Sequence, residues 1–376
     1  MRGYGQSVVT TTATRARVRR DILKLAHRGL NVHDFARAAT KLVRQAVPFD
    51  GTCLLTLDPA TLLPTGEVVE NGLPAAVMSR LNEIELQEQD FNKFAALARG
   101  GQRAASLSRA TAGELDRSLR QRELRRPSGF EDELRAALSD ATGTWGALTL
   151  LRESRGPHFT PAEERFLASL AVPLAEGLRL IALFESALSP DVETETGLLI
   201  VGPGGSIETA NRAAGHWLGE LGFDGDAHRL PVVIRSVANR ARYTADEGTG
   251  LASARLRTPA GQWLIVRGSV LGDGPDRRIA ILVEPARPPE LAPLIADAYG
   301  LTRRERLVTE LVARGYSTSE IAQRLHLSAY TIQDHLKSIF GKTGTGSRGD
   351  LVGRLFFDHY APRLTQAKSV PPSIVN

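Results

Sequence analysis

The chain has 376 residues, of which 42% are hydrophobic and 24% are charged, so it is long enough for two or three domains with sizeable cores. Its one cysteine, Cys53, excludes an intramolecular disulfide framework and a cysteine-ligated metal cluster. The histidines have no metal-binding spacing, and we expect neither a metal nor a cofactor. The N-terminus has no apolar run typical of a secretory signal, and the most apolar stretch contains Pro173, Glu176 and Arg179. We therefore expect a cytoplasmic protein with no membrane association.

The charges are distributed unevenly along the chain. Residues 1–28 hold seven Lys or Arg against one acidic residue, and residues 301–376 hold eleven against six. Residues 29–300 are mildly acidic. Basic ends indicate either a polyanionic partner or tails that only increase solubility, and composition alone leaves both possibilities open.

The first region combines helices with strands. Residues 1–14 are predicted to be disordered, and a helical pattern begins near Arg15. An alternating strand pattern follows around Cys53, and a second strand is predicted around Val68. ELRAALSDATGTWGALTLLR has helical propensity, but its D-A-T-G-T turn between two apolar runs favours a β-hairpin. The expected core positions of the first helical segment are Ile22, Leu25, Phe35, Leu42 and Val43, and the alternating strand residues are Cys53, Leu55 and Leu57.

A long helix closes this region. Thr160, Pro161 and Glu163 form a predicted capping box at its start. Its apolar residues recur at spacings of three and four, which suits either a coiled-coil seam or packing onto the same domain. These residues are Leu167, Leu170, Leu174, Leu178, Ile181 and Leu188. The order of elements over residues 15–188 resembles a GAF domain, an α+β fold that senses small molecules.

A second α+β unit is predicted over residues 189–286. It begins with a strand hairpin followed by a helix that starts at Asn211, and it ends with three strand-like runs. The turn contains Gly202, Gly204 and Gly205, but no Lys-Ser/Thr pair follows, so a hairpin is favoured over a phosphate loop. The pattern resembles a PAS domain. The segment EPARPPELAP is Pro-rich, and a linker is predicted over residues 287–300.

The last region has the strongest local signals. Four helices of roughly 8–14 residues are predicted from capping residues and apolar spacing, and the central two have the spacing of a helix-turn-helix. Gly315 ends the first of them, and a short turn at residues 325–327 separates the second from the third. The capping residues are Thr302 with Glu305, Ser317 with Glu320, Ser328, and Ser347 with Asp350.

The third of these helices has a polar face opposite Ile332, Leu336 and Ile339. Donors and acceptors on such a face can read base edges in the major groove, and residues near the helix ends can contact phosphates. An ordinary solvated helix face is the alternative reading of the same side chains. The candidate DNA-binding residues are Ser328, Tyr330, Thr331, Gln333, Asp334, Lys337, Lys342 and Arg348.

The motifs L-T-x-R-E, G-x-S-x-x-E-I-A-x-x-L-x-L-S, T-I-x-x-H-L and K-x-G-x-x-S-R-x-x-L occur in this order over about 55 residues. This arrangement closely resembles the LuxR-type helix-turn-helix, here predicted over residues 301–360, with a flexible tail at 361–376. The resemblance implies that 317–324 is the scaffold helix and 328–340 the recognition helix. It also implies a dimer contact on the fourth helix through Leu351, Val352 and Leu355.

Three kinds of input domain are disfavoured by the sequence. Asp50 and Asp58 lack the parallel βαβ rhythm of a phosphorylated receiver, and no P-loop of an ATPase occurs. The tryptophans, at 145, 217 and 263, do not form the early Trp/Tyr/Asp cluster expected of an acyl-homoserine-lactone pocket.

These patterns predict a multidomain α+β protein that acts as a dimeric one-component transcription regulator. Its expected partners are an inverted-repeat DNA operator, RNA polymerase and a small-molecule ligand, and no enzyme activity is expected. The alternatives are an adaptor whose helix-turn-helix contacts protein, and a GAF/PAS signalling enzyme. The basic run at residues 15–20 is interpreted as a solvated helix in preference to a second DNA contact.

Overall fold

A computed structural model describes residues 12–154, 156–184, 195–226, 230–247, 252–272 and 277–357. The chain forms two compact units, Met1–Ala286 and Arg287–Asn376. The first unit contains two antiparallel five-stranded sheets with helices, and the second unit is helical in its described part. The predicted disorder of residues 1–14 is corrected for residues 12–14, which begin the helix Thr12–Ala26. Residues 1–11, the seam position Leu188 and the predicted tail 361–376 lie outside the described residues.

The first part of unit one is built on a sheet of strand order β2-β1-β5-β4-β3. The predicted hairpin over residues 133–152 is confirmed as β4 and β5, which pair antiparallel in this sheet. Helical propensity in β4 is overridden because both faces of this hairpin are buried. The elements are α1 (Thr12–Ala26), α2 (Val32–Arg44), β1 (Gly51–Leu57), β2 (Pro64–Glu70), α3 (Met78–Leu86), α4 (Phe94–Arg99), β3 (Ala104–Ser106), α5 (Leu107–Ala110), β4 (Phe130–Ser139), β5 (Thr144–Glu153) and α6 (Pro161–Phe184).

Helix α6 is the core helix of this part and packs on α1, β4 and β5. Its capping box is confirmed, since the Thr160 amide donates to Glu163 and the Glu163 amide donates to Thr160. A Cβ at Gly177 would lie 2.4 Å from the ring of Phe35, so glycine is needed for this close approach. The five described seam positions are buried inside the unit, as the packing interpretation predicts: Leu167, Leu170, Leu174, Leu178 and Ile181.

Among the described helices, only α6 is long and apolar enough to cross a membrane by length and composition. Of its most apolar window, 61% is buried within the protein. The core helix of a soluble protein passes the same test, so the burial of α6 accounts for its apolar character without a membrane.

The second part of unit one repeats the same strand connectivity, in the order β7-β6-β10-β9-β8. The predicted hairpin turn is confirmed, because the Gly205 amide donates to the Gly202 carbonyl and Gly205 has φ of +83°. Asn211 caps the following helix by accepting from the Ala214 amide. The elements are β6 (Gly197–Val201), β7 (Ile207–Ala210), α7 (Arg212–Glu220), α8 (Val232–Glu247), β8 (Ser253–Arg257), β9 (Trp263–Leu271) and β10 (Arg278–Pro285).

The two sheets share one packed unit through α8 and the segment between β1 and β2. Helix α8 contacts β9 and β10 of the second sheet and also β2 and α3 of the first part. Leu63, from the β1–β2 connection, is fully buried in the core of the second part. Two ion pairs join the parts: Asp58 with Arg255 at 2.7 Å, and Glu67 with Arg235 at 3.2 Å.

The described structure of unit one agrees with two further sequence interpretations. Both sheets are antiparallel throughout, whereas a phosphorylated receiver contains parallel βαβ units. The basic run at residues 15–20 lies on α1, which buries Val18 and Ile22 against the unit. The side chains of Arg17, Arg19 and Arg20 are exposed, which suits both a solvated helix face and a DNA contact.

The second unit contains five described helices. The prediction for residues 287–300 is corrected, because most of this segment is helical and not an irregular linker. Pro288 and Pro289 occupy the first turn, where the missing amide hydrogens have no intrahelical partner, and Leu291, Leu294 and Ile295 are buried. The elements are α9 (Pro288–Ala298), α10 (Arg303–Ala313), α11 (Thr318–Leu325), α12 (Ala329–Thr343) and α13 (Arg348–Phe357).

Candidate nucleic-acid interface

Side-chain caps begin helices α10 to α13. Thr302 and Ser317 form complete capping boxes with Glu305 and Glu320. The Ser328 hydroxyl accepts from the Thr331 amide at 3.0 Å, and the Ser347 hydroxyl accepts from the Asp350 amide at the same distance. Each cap satisfies an amide that the helix itself leaves unpaired, so the four predicted helix starts are confirmed.

A tight turn joins α11 to α12. His326 ends α11 in the left-handed conformation, with φ of 52° and ψ of 47°. The Leu327 amide donates back to the Ala322 carbonyl, and Ser328 then caps α12. This turn lets the apolar faces of α11 and α12 meet in one core, where Ile321 and Ile332 are fully buried.

Replacing His326 with valine is expected to destabilise this turn by about 1–2 kcal/mol, because a β-branched residue is strained in the left-handed conformation. His326→Asn is the matched control, since asparagine adopts this conformation readily and His326 is exposed. Hydrogen exchange of the α11 and α12 amides measures the effect, because this unit contains no tryptophan. Equal protection in the two variants would show that the turn carries no such strain.

The exposed face of α12 lies opposite its buried row of Ile332, Leu336 and Ile339. Tyr330 is 73% exposed, and Gln333, Asp334 and Lys337 are also exposed. Thr331 is half-buried, and its hydroxyl lies 2.8 Å from that of Ser328. No ion pair or side-chain hydrogen bond holds Gln333, Asp334 or Lys337 among the described residues. These three side chains are therefore available to a partner.

Lys342 and Arg348, the remaining candidate DNA-binding residues, are engaged within the unit. The Lys342 ammonium lies 2.6 Å from the carboxylate of Glu305. The Arg348 guanidinium donates to the Tyr316 carbonyl and to the Thr318 hydroxyl, both at 2.8 Å. Both side chains are therefore held by contacts within the protein.

Glu305 connects the start of α10 to α12. The residue is 4% exposed, and its carboxylate accepts hydrogen bonds from the Thr302 amide, the Ser338 hydroxyl and the Lys342 ammonium. Burial acts to raise the pKa of Glu305, but the hydrogen bonds from Lys342 and Ser338 outweigh it and lower the pKa to about 2. Sequence reasoning identified Glu305 only as a cap, because its other partners lie 33 and 37 positions away.

Because the pKa of Glu305 is lowered, its ionised form stabilises the folded unit above its ordinary pKa of 4.5, and this stability is lost as pH falls towards about 2. The contribution at neutral pH is on the order of 2–3 kcal/mol. The Glu305→Gln variant should therefore be less stable than the wild type at pH 7, and this difference in the free energy of unfolding should shrink below pH 4.5. Hydrogen exchange of the α10 amides in both proteins across this range measures it. A deficit independent of pH would contradict the ionic role.

The three predicted dimer-contact residues have different environments. Leu351 is fully buried within the helical unit, Leu355 is half-buried, and Val352 is 37% exposed. Leu351 therefore belongs to the core of the unit in this structure. Val352 is the one of the three whose side chain is most accessible to a second chain.

Two short helices joined by a tight turn, the second of them presenting an exposed polar face, define a helix-turn-helix unit of the DNA-binding class. Residues 300–355 match the family described as bacterial regulatory proteins, luxR family. The spore germination protein GerE of Bacillus subtilis is 38% identical over 55 residues, which are 15% of this chain and 74% of that protein. A putative HTH-type transcriptional regulator in the exeN 3' region of Aeromonas salmonicida is 44% identical over 59 residues.

The chain belongs to the luxR family of bacterial regulatory proteins, and residues 300–355 are its helix-turn-helix domain. The match to the Aeromonas regulator covers 16% of this chain and 30% of that protein, so the chain spans less than a third of that relative. Escherichia coli SdiA, a solved structure, is 12% identical, with a TM-score of 0.33 over 90% of this chain and 95% of that chain.

Proposed function

We propose that the chain is a sequence-specific transcription regulator of one-component type that binds its operator as a homodimer. In this proposal a signal received in unit one changes the affinity for DNA. The observation that carries the proposal is the row of unpaired polar side chains, Gln333, Asp334 and Lys337, on a helix anchored by a buried apolar row. We expect the protein in the cytoplasm, where such an operator is accessible, and RNA polymerase as a further partner.

The exposed face of α12 divides into base-reading and backbone-binding residues. Gln333 can pair with adenine, and Asp334 can accept a hydrogen bond from cytosine N4. Lys337, one turn further along, can reach a phosphate or a guanine. Ser328, Tyr330 and Thr331 lie at the start of the helix, where hydroxyl groups can donate to phosphates.

Lys342 and Arg348 are proposed as phosphate contacts that are already ordered before DNA binds. The two protein acceptors that hold Arg348 are uncharged. Lys342 is partly neutralised by Glu305, so we expect it to contribute less than Lys337. Holding a side chain in its bound position reduces the entropy lost on binding.

The proposed dimer contact is on α13, through Val352 and Leu355, with Leu351 supporting the helix from the core. A dimer with two-fold symmetry predicts an inverted-repeat operator. We assign residues 15–188 to a GAF-like module and residues 189–286 to a PAS-like module. The support is the succession of helices and antiparallel strands in each, and the unit they form together is the proposed receiver of the signal.

Selection from a random pool of double-stranded DNA on the full chain tests this function. Enrichment of an inverted repeat by the wild type, but not by a Gln333→Ala, Lys337→Ala double variant, is the expected result. The affinity for the selected site should fall steeply and log-linearly with salt, because several phosphates are neutralised. A helix-turn-helix that contacts protein instead would enrich no sequence and would bind DNA weakly at every salt concentration.

A further inference from the structure

A cavity lies inside unit one between the first sheet and helices α3 and α4, and α8 closes it from the second part of the unit. Its lining includes residues from β1, β2 and β5 together with Val232, Ser236 and Arg240 of α8. The open space is about 110 Å³, whereas one water needs roughly 10–15 Å³ on the same measure. The cavity is therefore large enough for a small organic molecule.

Much of the lining is apolar. Leu55, Val69, Met78 and Phe94 are among the side chains that face the space. Cys53 also lines it, and burial raises the pKa of this thiol to about 12, so the thiol remains protonated and unreactive at neutral pH. Such a surface suits the non-covalent binding of an apolar group.

Most charged residues in the lining already have partners. Glu67 pairs with Arg235, and Glu85 pairs with Arg135 at 2.9 Å. Arg125 forms an ion pair with the fully buried Glu133. These charges are compensated by ion pairs within the protein, so they do not indicate a charged ligand.

Five buried donors in the lining have no hydrogen-bond partner, and two of them are the Nε atoms of Arg125 and Arg135, whose guanidinium groups already form ion pairs. The Ser236 hydroxyl is unpaired although the residue is 1% exposed, and the Asn82 amide nitrogen and the Arg240 Nε are buried and unpaired. Over the described part of the chain, no carboxylate lies within ion-pairing distance of Arg240. Burial lowers the pKa of Arg240; the nearby Tyr243 acts to raise it, and the charge of Arg99 acts to lower it. An unpaired buried polar group is costly, so the Ser236, Asn82 and Arg240 donors indicate a missing acceptor.

We propose that this cavity binds a small organic carboxylate with an apolar body, whose carboxylate accepts from Arg240, Ser236 and Asn82. The inference rests on the proposed function, in which a signal in unit one controls DNA binding, and it names the chemical class of that signal. Arg240 is the one cation of the described lining that forms no ion pair, and a single such cation in a mainly apolar space favours a monoanion over a more highly charged phosphate.

The position of the three donors explains how such a ligand would act on the structure. Asn82 is on α3 of the first part, whereas Ser236 and Arg240 are on α8 of the second part. One carboxylate held by all three would tie α3 to α8. Binding would therefore favour one arrangement of the two parts, which is the requirement for a ligand to shift a conformational equilibrium.

Titration calorimetry on the full chain without DNA tests the site, with straight-chain carboxylates from butyrate to decanoate and phenylacetate as probes. The matching neutral amides are the chemical controls. Saturable binding of at least one carboxylate is expected, with its amide about 10- to 100-fold weaker. The Arg240→Gln variant should bind the carboxylate more weakly by a similar factor, and the Arg240→Lys variant should recover part of the lost affinity. Arg37→Gln, an exposed α2 substitution outside the lining, should bind as the wild type does.

Two further substitutions keep the test valid if Arg240→Gln does not fold. Ser236→Ala and Asn82→Ala should each weaken binding of the carboxylate with the highest affinity, although the two residues lie on different parts of the unit. No saturable binding of any carboxylate, or equal binding of acid and amide, would overturn the proposal. Operator selection is independent of these titrations, so loss of the carboxylate site alone would leave the proposed DNA-binding function standing.

Discussion

Replacing Asp58 with alanine is expected to lower the free energy of unfolding of unit one by about 3–5 kcal/mol. The Asp58 side chain is 1% exposed and accepts from the backbone amide and the guanidinium of Arg255. It also accepts from the Ala60 amide at 2.9 Å. Removing the carboxylate breaks this buried ion pair and removes the hydrogen bonds with Arg255 that join the two parts of the unit.

Urea denaturation followed by tryptophan fluorescence measures this loss, because Trp145, Trp217 and Trp263 all lie in unit one. Glu114→Ala is the control, since it removes the same charge from an exposed residue. Replacing the pair together, as Asp58→Leu with Arg255→Met, should recover part of the loss because apolar residues of similar size then occupy the site of the buried ion pair. A change below about 1 kcal/mol for Asp58→Ala would rule out a stabilising role for the ion pair.

Single substitutions on α12 are expected to have two different effects on operator binding. Lys337→Ala should weaken binding to all sequences and reduce the slope of log affinity against log salt by about one. Gln333→Ala should reduce discrimination at one base pair by about 1–3 kcal/mol while leaving the salt slope unchanged. The difference arises because a phosphate contact carries no sequence information and a base contact does.

Fluorescence anisotropy with the selected operator and with single-base variants measures both effects across a series of salt concentrations. Arg314→Ala is a matched control for the loss of a cation, because Arg314 follows α10 and forms an exposed ion pair with Glu310. Asp334→Asn should tighten binding to unrelated DNA, since it removes an acidic group that repels phosphates. If the Lys337 and Gln333 variants behave identically, the assigned division between phosphate and base contacts is wrong.

The two α+β parts were predictable as successions of elements but not as one packed unit. Alternation and turn residues are local signals, so the hairpins β4–β5 and β6–β7 could be recognised in the chain. The pairing of β1 with β5, about a hundred residues apart, depends on how the sheet closes. The contact of α8 with both sheets, and the cavity that it closes, has no local signal at all.

The segment around Pro288 illustrates how composition can mislead. Three prolines in a short stretch predict an irregular linker, yet two of them occupy the first helical turn. That position tolerates proline because its amide hydrogen would have no partner in the helix. The outcome depends on the burial of Leu291 and Leu294, which favours a helix by tertiary packing.

The sequence by itself determined the starts of helices α10 to α13 and the candidate DNA-reading face of α12. A cap and its amide lie three residues apart, and a helix face repeats every three to four residues, so both partners of each interaction stand close together in the chain. The tertiary structure alone decided that Glu305 holds Lys342 and that Asp58 holds Arg255. These partners are 37 and 197 positions apart, and only the packing of whole helices and sheets brings such charges together.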